Sequence, residues 1–443
     1  MGKRRSNGEG SAPRQRNDGR WMAEVVVGHR NDGTAIRKYA YGRTEALCSA
    51  KLRKIIRDAE DGVLTTGKAP MLEEWLYYWM DQIADLRYNT RKGYESRVRV
   101  WISGTKLARR RLDKLTPEDF DALYARMREA GRAETFVLQM HRILSRALKV
   151  AVQRRRLGSN PLDRMDSPSP RNLGRVKGRT LTPDQARDLI GQAELRPLSE
   201  GTGWMFALAN GPRQGERLAL GWDMIDLESG KVRIERSLEV HNWKHGCATP
   251  ERCSATHGWG RLCPERHSGG LFFGEPKSDA GDRTNVLPAP LLERFRLLRA
   301  ERDDRERLLG EDYPVYTDPA GVEVDLVFCQ ENGRPIHPRS DYKSWHAFLD
   351  AAGVDRMRVH DARHTAATTH LLLGTDPRVV MDMFGWSQAS MLDRYQHVLD
   401  DLRAEAAANI AAHLWGAAPE PTPPAEGGGE VVSLDAFRRA RRA

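Results

Sequence analysis

VHDARHTAATTHLLLG (359–374) reads as one helix, and it places His360 and Arg363 one turn apart on the same face. His360, Arg363 and His364 give three groups able to donate to a phosphate within five residues. Just downstream, MFGWSQASMLDRYQHVL (383–399) sets Trp386 nine residues before Tyr395. Upstream, NGPRQGERLALGWDMIDLESG (210–230) carries Arg213 and Glu216 at i and i+3, where they can pair on a helix face. Its Leu218, Leu220, Trp222, Ile225 and Leu227 read as core. Between these segments, EPKSDAGDRTNVLP (275–288) reads as a hairpin with Asp279-Ala280-Gly281 at its tip and Lys277 and Arg283 across the turn. Taken singly, the Arg213–Glu216 pair is an ordinary helix salt bridge and Lys277 an ordinary solvated lysine.

Charge narrows the class of partner. The chain of 443 residues has a formal net charge of +10, spread unevenly. Residues 1–70 hold 15 basic and 8 acidic groups and residues 71–176 hold 22 and 13, so the remainder is net −6. A basic amino-terminal two-fifths on a mildly acidic remainder points to a polyanion, most simply nucleic acid. The longest run without Asp, Glu, Lys or Arg is the 14 residues Ala406 to Pro419, below the ~18 that a spanning helix needs. No apolar segment follows the amino terminus, and five cysteines are too few for a disulfide scaffold. The expected setting is a reducing cytosol, with no membrane partner.

The chain divides by composition. Residues 1–19 are polar, basic and rich in Gly and Ser, and read as a disordered arm. RWMAEVVV (20–27) and TAIRKYAY (34–41) flank Asn31-Asp32-Gly33 as a hairpin. Thr44 then caps a helix from about 45 to 60 whose stripe is Ala46, Leu47, Ala50, Leu52, Ile55 and Ile56. This unit, 20–66, reads as a small DNA reader, with Arg20, Arg37 and Lys38 as candidate phosphate contacts. Residues 67–166 read as all-helical. Thr116-Pro117-Glu118-Asp119 is a strong helix start, and a long helix from Ala133 runs into Arg154, Arg155 and Arg156, further candidate phosphate contacts. The Pro/Ser/Gly/basic stretch 163–180 is the clearest boundary, and Thr182-Pro183 opens a mixed α/β region over 177–402. A helix over 403–416 and a flexible tail over 417–443 complete the chain.

Together the four segments resemble the catalytic domain of the tyrosine recombinase (phage integrase) family. That family has an Arg in G-x-R-x-x-E, a Lys on a β-hairpin, H-x-x-R, a His or Trp after L-G, and a Tyr about nine residues on. Arg213, Lys277, His360, Arg363, Trp386 and Tyr395 occur in that order with compatible spacing. Each motif is weak alone, but the ordered set is specific. The sequence departs from the pattern at Arg217, usually apolar, at Phe384, usually Leu, and at Trp386, more often His. The resemblance implies a multidomain α+β fold: an arm-binding hairpin-plus-helix, an all-α SAM-like core-binding domain, and a mixed α/β catalytic domain.

It also implies a chemistry. Tyr395 would be the nucleophile, Arg213 and Arg363 would clamp the nonbridging oxygens, and Glu216 would orient Arg213. His360 would donate to the phosphate or assist proton transfer, Lys277 would protonate the leaving 5′-hydroxyl, and Trp386 would buttress the pocket. No cofactor is required for this catalysis. The implied partners are core-type and arm-type double-stranded attachment sites, a homotetramer on DNA, and an excisionase or DNA-bending factor. A type IB topoisomerase-like enzyme shares the chemistry, but the arm unit and the helix after Tyr395 speak against it. A non-catalytic DNA-binding regulator would not need the full set.

One insertion, HNWKHGCATPERCSATHGWGRLCPERHSGG (241–270), is not absorbed by this reading. Its C-x5-C-x3-H-x5-C offers Cys247, Cys253, His257 and Cys263 to a structural zinc, with His245 and His267 as spares. The spacing matches no standard finger.

Overall fold

The computed structural model describes residues 10–29, 33–60, 69–169, 180–247, 253, 260–276, 279–395 and 407–414. The chain forms two compact units, Met1–Val176 and Lys177–Ala443.

Unit one opens with a three-stranded antiparallel sheet, β1 (Arg14–Gln15), β2 (Trp21–His29) and β3 (Ala35–Gly42), covered by helix α1 (Glu45–Glu60). The expected hairpin is present, with Trp21 opposite Gly42 and a bulge between Val26 and Gly28. Its Asn31-Asp32 turn lies outside the described residues. Ala23, Val25 and Ala40 face Cys48 and Leu52 of α1. Ala46, Leu47 and Ala50, expected in the stripe, are exposed, and Cys48 takes the inward place. Residues 10–19 correct the expectation of a disordered arm. Arg14 and Gln15 pair with Met22 and Trp21, and Ser11 exchanges two hydrogen bonds with the Glu24 backbone. The free edge of β2 recruits them, because an unpaired strand edge is a template for any nearby extended chain.

The rest of unit one is helical: α2 (Leu72–Gln82), α3 (Tyr88–Trp101), α4 (Pro117–Glu129) and α5 (Glu134–Gln153). These helices enclose a core that includes Trp75, Trp79, Phe120, Met140 and Leu144. The Thr116 N–H is capped by Asp119 at 2.9 Å, as the motif predicts. Inside this core, His141 bridges Tyr124 Oη (3.1 Å) and Ser167 Oγ (3.2 Å). Helix α5 stops before the basic triplet. Arg155 takes a left-handed conformation (φ 53°) and Arg156 N–H closes on the Ala151 carbonyl, so the three arginines form an exposed cap.

Unit two contains α6 (Pro183–Glu194), α7 (Leu198–Ala209), α8 (Gln214–Leu218), β4 (Ile225–Asp226), β5 (Lys231–Ile234), β6 (Ser237–His241), β7 (Gly270–Gly274), β8 (Arg283–Val286) and α9 (Ala289–Leu309). It continues with β9 (Tyr316–Thr317), β10 (Glu323–Val324), α10 (Pro338–Ala351), α11 (Val359–Leu372) and α12 (Pro377–Met383), and a short helix covers 407–414. Thr182 Oγ1 accepts from Gln185 N–H and opens α6 as the Thr-Pro pair indicates. The aromatic core joins Trp204, Phe206, Phe295, Phe328, Trp345 and Phe348. The expected hairpin over 275–288 is corrected. β7 pairs with β6 and β8 pairs with β5, so this segment crosses between two small sheets. No described helix is long and apolar enough to cross a membrane.

Candidate active site

Arg213 sits at the N-cap of α8, where Glu216 closes a loop back onto it. The Arg213 N–H donates to Glu216 Oε2 at 2.8 Å, and Nη1 donates to Oε1 at 2.5 Å. The same carboxylate receives Arg283 Nη2 from β8 at 2.8 Å, with both of those side chains 2% exposed. Burial alone would raise the Glu216 carboxyl. The charge and hydrogen bond of Arg283, then of Arg213, overcome it and hold the carboxyl at about 2. Glu216 thus ties the mouth of α8 to β8.

Arg363 lies on the inner face of α11. Its Nη1 donates to the Gly211 carbonyl at 2.7 Å and its Nη2 donates to the Phe384 carbonyl. Arg213 Nη2 reaches the next carbonyl, Gly385, at 3.4 Å. Two guanidiniums are therefore anchored to consecutive peptides of the turn after α12. Burial first, and the like charge of Arg213 second, push Arg363 down to about 9, so it remains a cation at neutral pH. Backbone geometry enforces this packing. Gly211 has φ +59°, and a Cβ there would meet the Phe384 ring at 2.4 Å. Gly385 has φ +58°, and a Cβ there would meet the Ala280 carbonyl at 2.5 Å.

Tyr395 ends the short 3-10 helix Ala389–Tyr395 and is 3% exposed. Its ring stacks on Trp386 at 5.3 Å between centroids, tilted 21°. Its Oη lies 2.6 Å from His364 Nδ1. His360 is exposed, one turn back on α11, with its ring 4.8 Å from that of His364. Desolvation first, then the charges of His364, Arg363 and Arg358, push His360 down to about 4, so it is neutral at pH 7. Sequence reasoning gave His360 either donation to the phosphate or help in proton transfer and gave His364 no separate role; the side chain on the phenol is His364. The signal was present in the run of three donors, but spacing alone could not tell which ring turns toward Tyr395.

The structure brings together Arg213, Glu216, Arg363, His360, Trp386 and Tyr395. Lys277 lies outside the described residues. Buried Arg283 was missed because it reads as the far side of a turn. Two of the three departures from the family pattern have physical explanations. Arg217 is buried against the Trp204 ring at 4.4 Å and paired with Asp341, and Phe384 gives Arg363 an aromatic face at 5.1 Å. Of the candidate DNA contacts, Arg20 and Arg37 are exposed and Lys38 is half-buried; Arg37 is paired with Glu24 at 3.1 Å. In the insertion, Cys247, Cys253 and Cys263 converge with His245, and His257 lies outside the described residues.

Residues 306–401 match the family model described as the phage integrase family. The chain is 35% identical over 438 residues to an integrase of Saccharopolyspora erythraea, covering 90% of this chain and 95% of that one. It is 22% identical over 399 residues to a XerC-like tyrosine recombinase of Caldanaerobacter subterraneus, covering 87% and 94%. In fold it is similar to the Tn1549 transposon integrase solved in complex with transposon right end DNA, with a TM-score of 0.59, 18% identity, and coverage of 78% of this chain and all of that one. These relatives favour neither a relaxing enzyme nor a non-catalytic regulator. A 35% identity sustained over nearly the whole of an integrase, with the ordered motif set, places the chain in the phage integrase family of tyrosine recombinases, as a site-specific DNA recombinase.

Proposed function

We propose that this recombinase integrates and excises a phage or other mobile element through a 3′-phosphotyrosyl intermediate formed on Tyr395. The observation that carries the reading is the pair of guanidiniums, Arg213 and Arg363, fixed on the neighbouring carbonyls of Gly385 and Phe384 beside a buried tyrosine. Tyr395 Oη attacks the scissile phosphorus, the phosphotyrosyl bond forms and the bond to the 5′-oxygen breaks. Arg213 and Arg363 take the charge that builds on the nonbridging oxygens, where fixed donors act without reorganising. His364 accepts the phenolic proton, His360 donates a hydrogen bond to the phosphate, Lys277 protonates the departing 5′-oxygen, and Trp386 holds the tyrosine ring. The ester's energy is kept in the protein–DNA bond, so strands rejoin without ATP. Tyrosine recombinases use no metal cofactor for this step.

The sheet-and-helix unit over 20–66 reads arm-type sites, with Arg20, Arg37 and Lys38 toward phosphate. The helical region over 67–166 and the catalytic domain over 177–402 grip core-type sites, with Arg154, Arg155 and Arg156 toward the backbone. Four protomers assemble on DNA. The helix at 407–414, with Ile410 and Leu414 exposed, packs on a neighbouring protomer; Leu402 lies outside the described residues.

The test is recombination between two plasmids bearing the element's junction sequences, with EDTA added together with the DNA and no ATP. Recombinant product is expected under these conditions. Absence of product that magnesium restores would overturn the reading.

A further inference from the structure

The insertion between β6 and β7 contains a cluster that the recombination chemistry does not use. His245, Cys247, Cys253 and Cys263 each bring one ligand atom into a group whose members all lie within 4.8 Å of one another. Cys247 Sγ lies 3.7 Å from Cys263 Sγ, and His245 Nδ1 lies 3.6 Å from Cys247 Sγ. A tetrahedral zinc with Zn–S of about 2.3 Å and Zn–N of about 2.0–2.1 Å has sulfur–sulfur edges of about 3.8 Å and sulfur–nitrogen edges of about 3.6 Å. A disulfide would hold two sulfurs at about 2.05 Å. The Cys247–Cys263 and His245–Cys247 spacings are those of a metal site's edges.

The surrounding backbone is shaped to hold this arrangement. Lys244 and His267 exchange two backbone hydrogen bonds, 2.9 and 3.1 Å, closing the base of the insertion. Gly246, between two of the ligands, passes so near the Glu265 carbonyl that a Cβ would lie 2.0 Å from it. Gly260 approaches the Trp243 carbonyl equally closely, at 2.2 Å. Backbone N–H groups of Gly246, Cys247 and Glu265 are directed at Cys263 Sγ, as the amides around a bound thiolate are. Arg266 covers the Trp243 ring at 4.8 Å.

We propose that His245, Cys247, Cys253 and Cys263 bind one zinc ion that is structural. Four protein ligands fill the tetrahedron and leave no open position for substrate. His245, a spare in the spacing pattern, supplies the imidazole of this cluster, and His257 lies outside the described residues. The ion would stiffen the β6–β7 pair. Leu238, Leu271 and Phe273 of that pair pack with Leu218 and Ala219 at the end of α8, whose start positions Arg213. The site therefore braces one support of the catalytic arginine.

The experiment is metal analysis of the full-length chain purified without added metal, beside Cys247→Ser, Cys263→Ser, His245→Ala and His257→Ala, with Co(II) substitution of the wild type. One zinc per chain is expected in the wild type and in His257→Ala. Zinc should fall at least tenfold in both serine variants and exchange faster in His245→Ala. Should the serine variants fail to fold, the Co(II) spectrum of the wild type decides alone, since tetrahedral Co(II) bound by thiolates has distinctive d–d and sulfur charge-transfer bands. A wild-type chain that contains no zinc and binds neither Zn(II) nor Co(II) overturns the proposal. So does a Cys247–Cys263 disulfide found by intact mass under non-reducing conditions. Zinc lost in His257→Ala but kept unchanged in His245→Ala overturns the ligand set.

Discussion

His364 Nδ1 lies 2.6 Å from Tyr395 Oη, so the proposed nucleophile already has a hydrogen-bond partner on the helix that carries Arg363. A free tyrosine has a pKa of about 10 and is a poor nucleophile at neutral pH without a base or neighbouring cations. A neutral His364 with Nδ1 unprotonated accepts the phenolic hydrogen and can take the proton as the bond to phosphorus forms.

His364→Gln should therefore slow single-turnover cleavage of a core-site duplex by about 10²-fold or more, the usual contribution of a positioned base. Affinity for the same duplex should stay within about twofold, because His364 is buried behind the tyrosine. The discriminating readout is the split between steps, because a glutamine there can accept the phenol's hydrogen bond but not its proton, so cleavage should fall while binding holds. A variant that cleaves as fast as the wild type would remove His364 from the chemistry.

Glu216→Gln tests the joint between α8 and β8. It leaves Arg283 buried without a counter-charge, a situation that typically costs about 3–5 kcal/mol. The pH sign is set by the depressed carboxyl. Its stabilisation is fully present above 4.5, the ordinary value, and is lost as pH falls toward about 2. The gap in melting temperature between wild type and variant should be widest near neutrality and narrow below pH 4.5. A gap that does not change with pH would show that the charge on Glu216 contributes nothing.

His360 should take up a proton when the phosphodiester arrives. In the free protein it is held at about 4, below the ordinary 6.5. The unfolded chain therefore binds more protons between those values, and this residue makes stability rise with pH across that window. An anion placed beside it favours the charged form and moves the pKa back up. Calorimetric titration of core DNA at pH 5.5 in two buffers of different ionisation enthalpy should show proton uptake that His360→Asn abolishes. Equal heats in both buffers for the wild type would separate His360 from the phosphate.

Deleting residues 1–66 should abolish recombination that requires arm-type sites while leaving core half-site binding and cleavage largely intact. The deleted segment has a hydrophobic core of its own and none of the six catalytic candidates. Residues 71–176 keep 22 basic against 13 acidic groups, so core-site affinity should still fall steeply with salt. A truncated chain that is folded by circular dichroism yet cannot bind core DNA would overturn this division of labour.

The legible parts of the molecule were those written in local pattern. α1, the Thr116 and Thr182 helix starts and the α11 face follow from caps and periodicity. Long-range partners could not be read this way. β1 has two residues and no periodicity, and it forms only because β2 offers an edge. Turn chemistry around Asp279 signals a reversal but does not say that β8 pairs with β5 rather than β7. Arg217 looked out of place because Asp341, its partner, lies 124 residues away. The same limit hid the place of His245 beside the cysteines and the choice of His364 over His360 at the phenol. Each choice depends on ring orientation, which sequence spacing does not determine.

The central claim is that Tyr395 forms the covalent bond to DNA. Tyr395→Phe keeps the ring that stacks on Trp386 and removes only the oxygen facing His364. With a nicked suicide duplex of the core site, the wild type should give a protein–DNA adduct that survives denaturing electrophoresis. The variant should bind the same duplex with unchanged affinity and give no adduct. A stable adduct formed by Tyr395→Phe would contradict the account, because another residue would then be the nucleophile.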